Sequence, residues 1–145
     1  MTTHTHLAPS ALPLAAAASG GAVVGVLTSF GQGWLPGALS SLANSGGSWS
    51  LAAFLLALLG PRRWVCVASG ALALAAMVLG YDLASLLRGY AVSGVSTGFW
   101  LTAALTVGPL LGWGADAVRR RPRRDGEGPV DGRSRLQQAQ QPVPA

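Results

Sequence analysis

"WVCVASGALALAAMVLGYDLA", residues 64–84, decides the fold. No charge interrupts it before Asp82, and about 20 mainly apolar residues suffice for a helix to cross the ~30 Å hydrocarbon core of a bilayer. A helix apolar all round belongs either in the core of a large protein or in a membrane. The rest of the chain decides between the two. Residues 1–115 of this 145-residue chain carry four charges: Arg62, Arg63, Asp82 and Arg88. A soluble domain is about 25% charged, and four charges cannot cover the surface of 115 residues. The run is read as a membrane span.

Three further stretches share its character: residues 11–32, with Pro13 suited to a first helical turn; residues 42–60, stopped by Pro61; and residues 96–115, containing Pro109. The expected fold is therefore an all-α membrane protein, a bundle of four transmembrane helices within residues 11–115. Residues 1–10 are expected to be a disordered N-terminus. Residues 116–145, rich in Arg, Pro and Gln, lack an apolar face and are expected to be a disordered basic tail.

The arginines orient the bundle, because short cytoplasmic loops collect positive charge. Arg62 and Arg63 lie between the second and third spans, while Arg119, Arg120 and Arg121 follow the fourth. Four spans put both clusters on one side. Both termini are then cytoplasmic, in a multi-pass protein of the cell membrane. Ten Arg, no Lys and abundant Ala and Gly point to a GC-rich bacterial genome and so to a bacterial inner membrane. No Arg or Lys precedes the first apolar run, so the charged region of a signal peptide is missing, and an uncleaved first helix is expected.

Trp and Tyr favour the two membrane interfaces. Trp34, Trp49 and Trp100 fall at outer span ends in this arrangement, and Trp64 and Trp113 at inner ends, all as interface anchors. The pairs Gly21/Gly25, Gly94/Gly98 and Gly108/Gly112 have the spacing that lets helix backbones approach closely.

"GQGWLPGALSSLANSGGSW", residues 31–49, joins the first two spans without a charge. Two readings fit it. One is an interfacial loop followed by a helix start capped by Asn44, Ser45 or Ser48. The other is a re-entrant segment lining a polar cavity, where non-helical backbone is tolerated at membrane depth. Gln32 and Asn44 would then be ligands beside free helix N–H groups. Gln32, Asn44, Ser45, Asp82 and Arg88 form the candidate polar outer site. Asp82 and Arg88 have opposite signs and lie near the outer end of the third span, either as solvated helix ends or as an ion pair.

Catalytic chemistry is not expected. His4 and His6 are the only histidines, Cys66 is the only cysteine, and no Lys exists for a phosphate-binding loop. No metal or cofactor is expected. The expected partners are the lipid bilayer and, through helix association, a second copy of the chain or another membrane protein. Nucleic acid is disfavoured, since the positive charge sits where membrane proteins place their topology anchors.

"LTSFGQGWLPGALSSLANSGGSW", "GYDLASLLRGYAVSG", "FWLTAALTVGPLLG" and the twin-Arg loop resemble a group of small multi-pass membrane proteins of GC-rich bacteria. That group is known as a domain of unknown function. The resemblance covers roughly residues 20–118 and implies an integral membrane protein with no established reaction. Function is therefore expected to be structural or accessory, through helix association. The alternative is a minimal transporter or channel subunit using residues 31–49 with Asp82 and Arg88.

Overall fold

The structure, a computed structural model, describes residues 10–43 and 45–121. These residues are all-helical, without strands: α1 (Ala11–Trp34), α2 (Gly37–Ala43), α3 (Gly46–Ala57), α4 (Arg63–Leu87) and α5 (Gly94–Arg119). Three of them, α1, α4 and α5, are long and apolar enough to cross a membrane. Large apolar side chains face outward along all three, among them Leu27, Leu79, Leu83, Leu105 and Leu110. The interior is built largely from alanine, with Ala17, Ala53, Ala73 and Ala104 around Leu74 and Met77. This inverts the soluble pattern of large apolar residues inside. It suits a surrounding of hydrocarbon, where helices associate through small residues and close packing.

Close approach is visible at the glycines. A Cβ at Gly21 or Gly25 of α1 would strike the α4 backbone at Ala73 or Met77, and one at Gly80 would strike Ala22. The pairs Gly21–Ala73, Gly25–Met77 and Ser29–Ser85 advance together along both helices, so α1 and α4 run parallel. Gly70 meets Gly108, and Gly112 meets Cys66, so α4 and α5 run antiparallel. The pair Gly94/Gly98 differs, since neither position has a neighbour within 4 Å. Pro109 sits inside α5 without ending it.

Two parallel helices in sequence need a return segment between them. It is α2 and α3, and here the structure departs from the expected second span at residues 42–60. α1 continues through Gly31 and Gln32 to Trp34, and α2 occupies much of the expected loop. The chain then breaks, and α3 starts at Gly46 with Ser45 as its N-cap. The Ser45 Oγ accepts from the Ser48 N–H at 3.2 Å, and Ser48 Oγ donates to the Leu42 carbonyl at 2.6 Å. These bonds satisfy backbone groups on both sides of the break and hold it open. At about 1.5 Å per residue, 12-residue α3 is about 18 Å long, well under the ~30 Å core. Ser45→Ala is expected to cost about 1 kcal/mol, read as a lower melting temperature in mild detergent.

The other end also shifts. α5 reaches Arg119, so residues 116–119, expected in a disordered tail, are helical. His4, His6 and the rest of the tail beyond residue 121 lie outside the described residues.

Candidate functional site

Polar side chains gather at the two ends of the bundle, and each end has a different job. At the arginine-rich end, the carboxylate of Asp116 is only 4% exposed, while Arg63 and Arg120 are 61% and 60% exposed. Arg63 Nε donates to Asp116 Oδ2 at 3.1 Å, and Arg120 Nε donates to both carboxylate oxygens at 2.8 Å. This buried acid ties the start of α4 to the end of α5. Beside it the Cys66 thiol donates to the Gly60 carbonyl at 3.2 Å and is buried. Arg62 and Trp64 are exposed at the same end, as is Trp113, nearly two turns before the helix end.

At the opposite end Arg88 turns towards α1. Its guanidinium donates to the Ser29 carbonyl and lies over two rings, 5.1 Å from the Phe30 centroid and 5.0 Å from that of Tyr90. Ser29 and Ser85 bridge α1 and α4 through their hydroxyls at 2.9 Å. Trp34 closes α1 against Phe30, with ring centroids 5.9 Å apart.

Asp82 faces the other way. Its Oδ2 accepts from Thr97 Oγ1 of α5 at 2.6 Å. The expected Asp82–Arg88 ion pair is therefore not formed. Because α4 continues unbroken to Leu87, six residues turn Arg88 about 240° from Asp82, at about 100° per residue. The two contact different helices and share no partner. A double-mutant cycle of Asp82→Asn and Arg88→Gln is accordingly expected to be additive within about 0.5 kcal/mol. A larger coupling would contradict the separate placement.

On the Asp82 side of α4 lies a cavity of about 340 Å³ where α3, α4 and α5 meet. Its lining includes Ser45, Trp49, Tyr81, Asp82, Ser96 and Trp100, and it deepens along Leu74 and Val107. From Ser96 to Val107 the wall follows three turns of α5, so it reaches from the Asp82 end towards the middle of the bundle. Among the described residues Asp82 is the only charged one lining it. Trp49 stacks edge-on against Tyr81 at 6.0 Å, and Tyr81 donates to Gln32 Oε1 at 2.9 Å. Among the described residues the buried indole N–H of Trp49 has no acceptor.

Of the five candidate polar residues, Ser45 and Asp82 line the cavity. Gln32 stands behind Tyr81, Arg88 belongs to the α1–α4 contact, and Asn44 lies outside the described residues. Trp49 and Trp100, expected as interface anchors, also form cavity wall. Among the described residues no three His, Cys, Asp or Glu side chains could share a metal ion.

With this geometry in view, the sequence can be set against known families. One family, described as "Family of unknown function (DUF6518)", matches residues 4–129. The chain belongs to it. The DUF6518 match spans all five helices, the cavity and the Asp116 cluster. No curated protein and no solved structure matches the chain. The membership therefore transfers no reaction, and any activity of this DUF6518 chain rests on its own residues.

Two features of the DUF6518 fold escaped the sequence reading. Asp116 was grouped with the tail, although its i,i+4 spacing to Arg120 was a visible sign of helix. Its link to Arg63, 53 residues away, becomes readable only once α4 and α5 are paired. The cavity has no local signature, because its wall draws a few residues from each of three helices.

Proposed function

We propose that the chain is a multi-pass integral membrane protein that holds a small solute in the crevice among α3, α4 and α5, as a non-catalytic binding or transport subunit. The cavity carrying a lone carboxylate is the observation that supports this reading over a purely structural role. In this reading the arginine-rich end is cytoplasmic and the Asp82 end faces outward across a bacterial inner membrane. Four crossings follow, with α3 as the short one. Among the described residues lining the cavity, Asp82 is joined by no second carboxylate and no His, Cys or Lys, which favours binding over catalysis.

Cysteines placed on the cavity wall test the reading. In a Cys66→Ser background, Ser50→Cys and Val107→Cys are expected to react with a small, membrane-impermeant thiosulfonate added outside. Leu79→Cys, on the outward face of α4, is expected to stay unreactive. Equal inertness of all three positions would contradict a water-accessible crevice.

An accessory role through helix association is favoured by one feature, the unfilled space beside Gly94 and Gly98 of α5. Cross-linking through Gly98→Cys would reveal it as a dimer or a larger complex.

A further inference from the structure

The chemistry of the cavity wall also selects its occupant. Among the described residues Asp82 has no cationic partner, since the ion pairs formed there are those of Asp116. Its carboxylate has one hydroxyl donor, Thr97, and it stands at a cavity whose lining holds three aromatic side chains, Trp49, Tyr81 and Trp100. Among the described residues no Arg lines that cavity. A carboxylate in partly apolar surroundings favours a counter-cation, because Coulomb attraction strengthens as the effective dielectric falls. Aromatic faces add attraction for the same charge, and Trp is the strongest of the three ring types. A small hydrated metal ion would gain little here, as hard cations call for several oxygen ligands in a shell. An amine with alkyl substituents gains from both the carboxylate and the rings.

The opposite wall has complementary character. It is formed by Ser45, Gly46 and Trp49 at the start of α3, where the helix dipole is positive. The Trp49 indole N–H there has no acceptor among the described residues, and a buried donor left unpaired is unfavourable. A ligand oxygen would satisfy it after a rotation of the indole that brings the sealed N–H to the cavity. From these two walls we infer that the cavity binds an organic cation, a protonated or quaternary amine carrying an oxygen acceptor. The ammonium lies at Asp82 among Tyr81 and Trp100, and the acceptor lies towards Trp49. This assignment rests on the solute-binding reading above.

The test uses the full chain in detergent micelles and follows binding by calorimetry. The probes are acetylcholine and its neutral carbon isostere, in which tert-butyl replaces trimethylammonium. Acetylcholine is expected to bind at least tenfold more tightly than the isostere. Asp82→Asn, whose amide oxygen can keep the Thr97 bond, is expected to erase that preference without changing the melting temperature. Trp49→Phe retains a ring but removes the donor, and is expected to weaken acetylcholine severalfold. Equal binding of both probes, unaltered by Asp82→Asn, would overturn the cation assignment and leave the cavity reading intact. Failure of both probes to bind, with Ser50→Cys and Val107→Cys still reactive, overturns the cation assignment alone. Failure of both probes with both cysteines inert overturns the cavity reading as well.

Discussion

Valine at Gly25 or Gly112 is expected to destabilise the bundle by about 3 kcal/mol or more, the upper end of what overpacking costs. At both positions a Cβ would meet backbone of the neighbouring helix, Met77 for Gly25 and Cys66 for Gly112. No side chain can rotate away to make room, so the helices themselves must separate. The contacts along α1–α4 and α4–α5 would loosen together, since each is set by the same spacing. Even alanine at Gly25 is expected to be felt. Gly98→Val supplies the control, because nothing lies within 4 Å of Gly98 and surface substitutions usually stay within about 0.5 kcal/mol. Unfolding of each variant from mild detergent into a denaturing one measures the difference. Equal midpoints for Gly25→Val and Gly98→Val would show that the close approach is not required.

The second large effect concerns Asp116. Its carboxylate is buried while both arginine partners are mostly exposed, so the two sides of the cluster respond unequally. Losing the arginines strands a carboxylate that water has little access to solvate, and they are the more damaging half of such a pair to lose. Losing the acid frees two guanidiniums that water can solvate. The double variant Arg63→Gln/Arg120→Gln is therefore expected to lower the unfolding midpoint clearly, and Asp116→Asn to lower it much less. Adding Asp116→Asn to the double variant should recover most of the loss. A double variant as stable as the parent chain would mean that the acid is not sealed from solvent.

Much of the bundle was readable from residues alone, for reasons that differ element by element. α1, α4 and α5 stood out because about 20 consecutive apolar residues have few other uses. Pro61 and Arg62 marked the turn before α4 for the same reason that they end or flank helices elsewhere. Residues 37–57 were harder. Apolar residues run through both α2 and α3, so composition did not disclose the break, and Ser45 as a cap competed with Asn44 and Ser48 as alternatives. The candidate site was legible only in parts. Asp82 and Ser45 were singled out by charge and capping chemistry. The partners of Asp82 were not, because Thr97 lies across the α4–α5 contact and Arg88 is carried away by helical rotation. Sign and sequence proximity suggested a pair that a continuous helix forbids.

The most direct test is whether short α3 takes the chain back to the arginine-rich side. In a Cys66→Ser background, single cysteines at Pro36, Pro61 and Val92 sample the three connections between the long helices and α3. An impermeant maleimide is applied to intact cells, then to cells opened by detergent. The expected result is labelling of positions 36 and 92 from outside, with position 61 labelled only after opening. Labelling of positions 36 and 61 from the same side would mean that α3 does not cross, and would contradict the four-crossing arrangement.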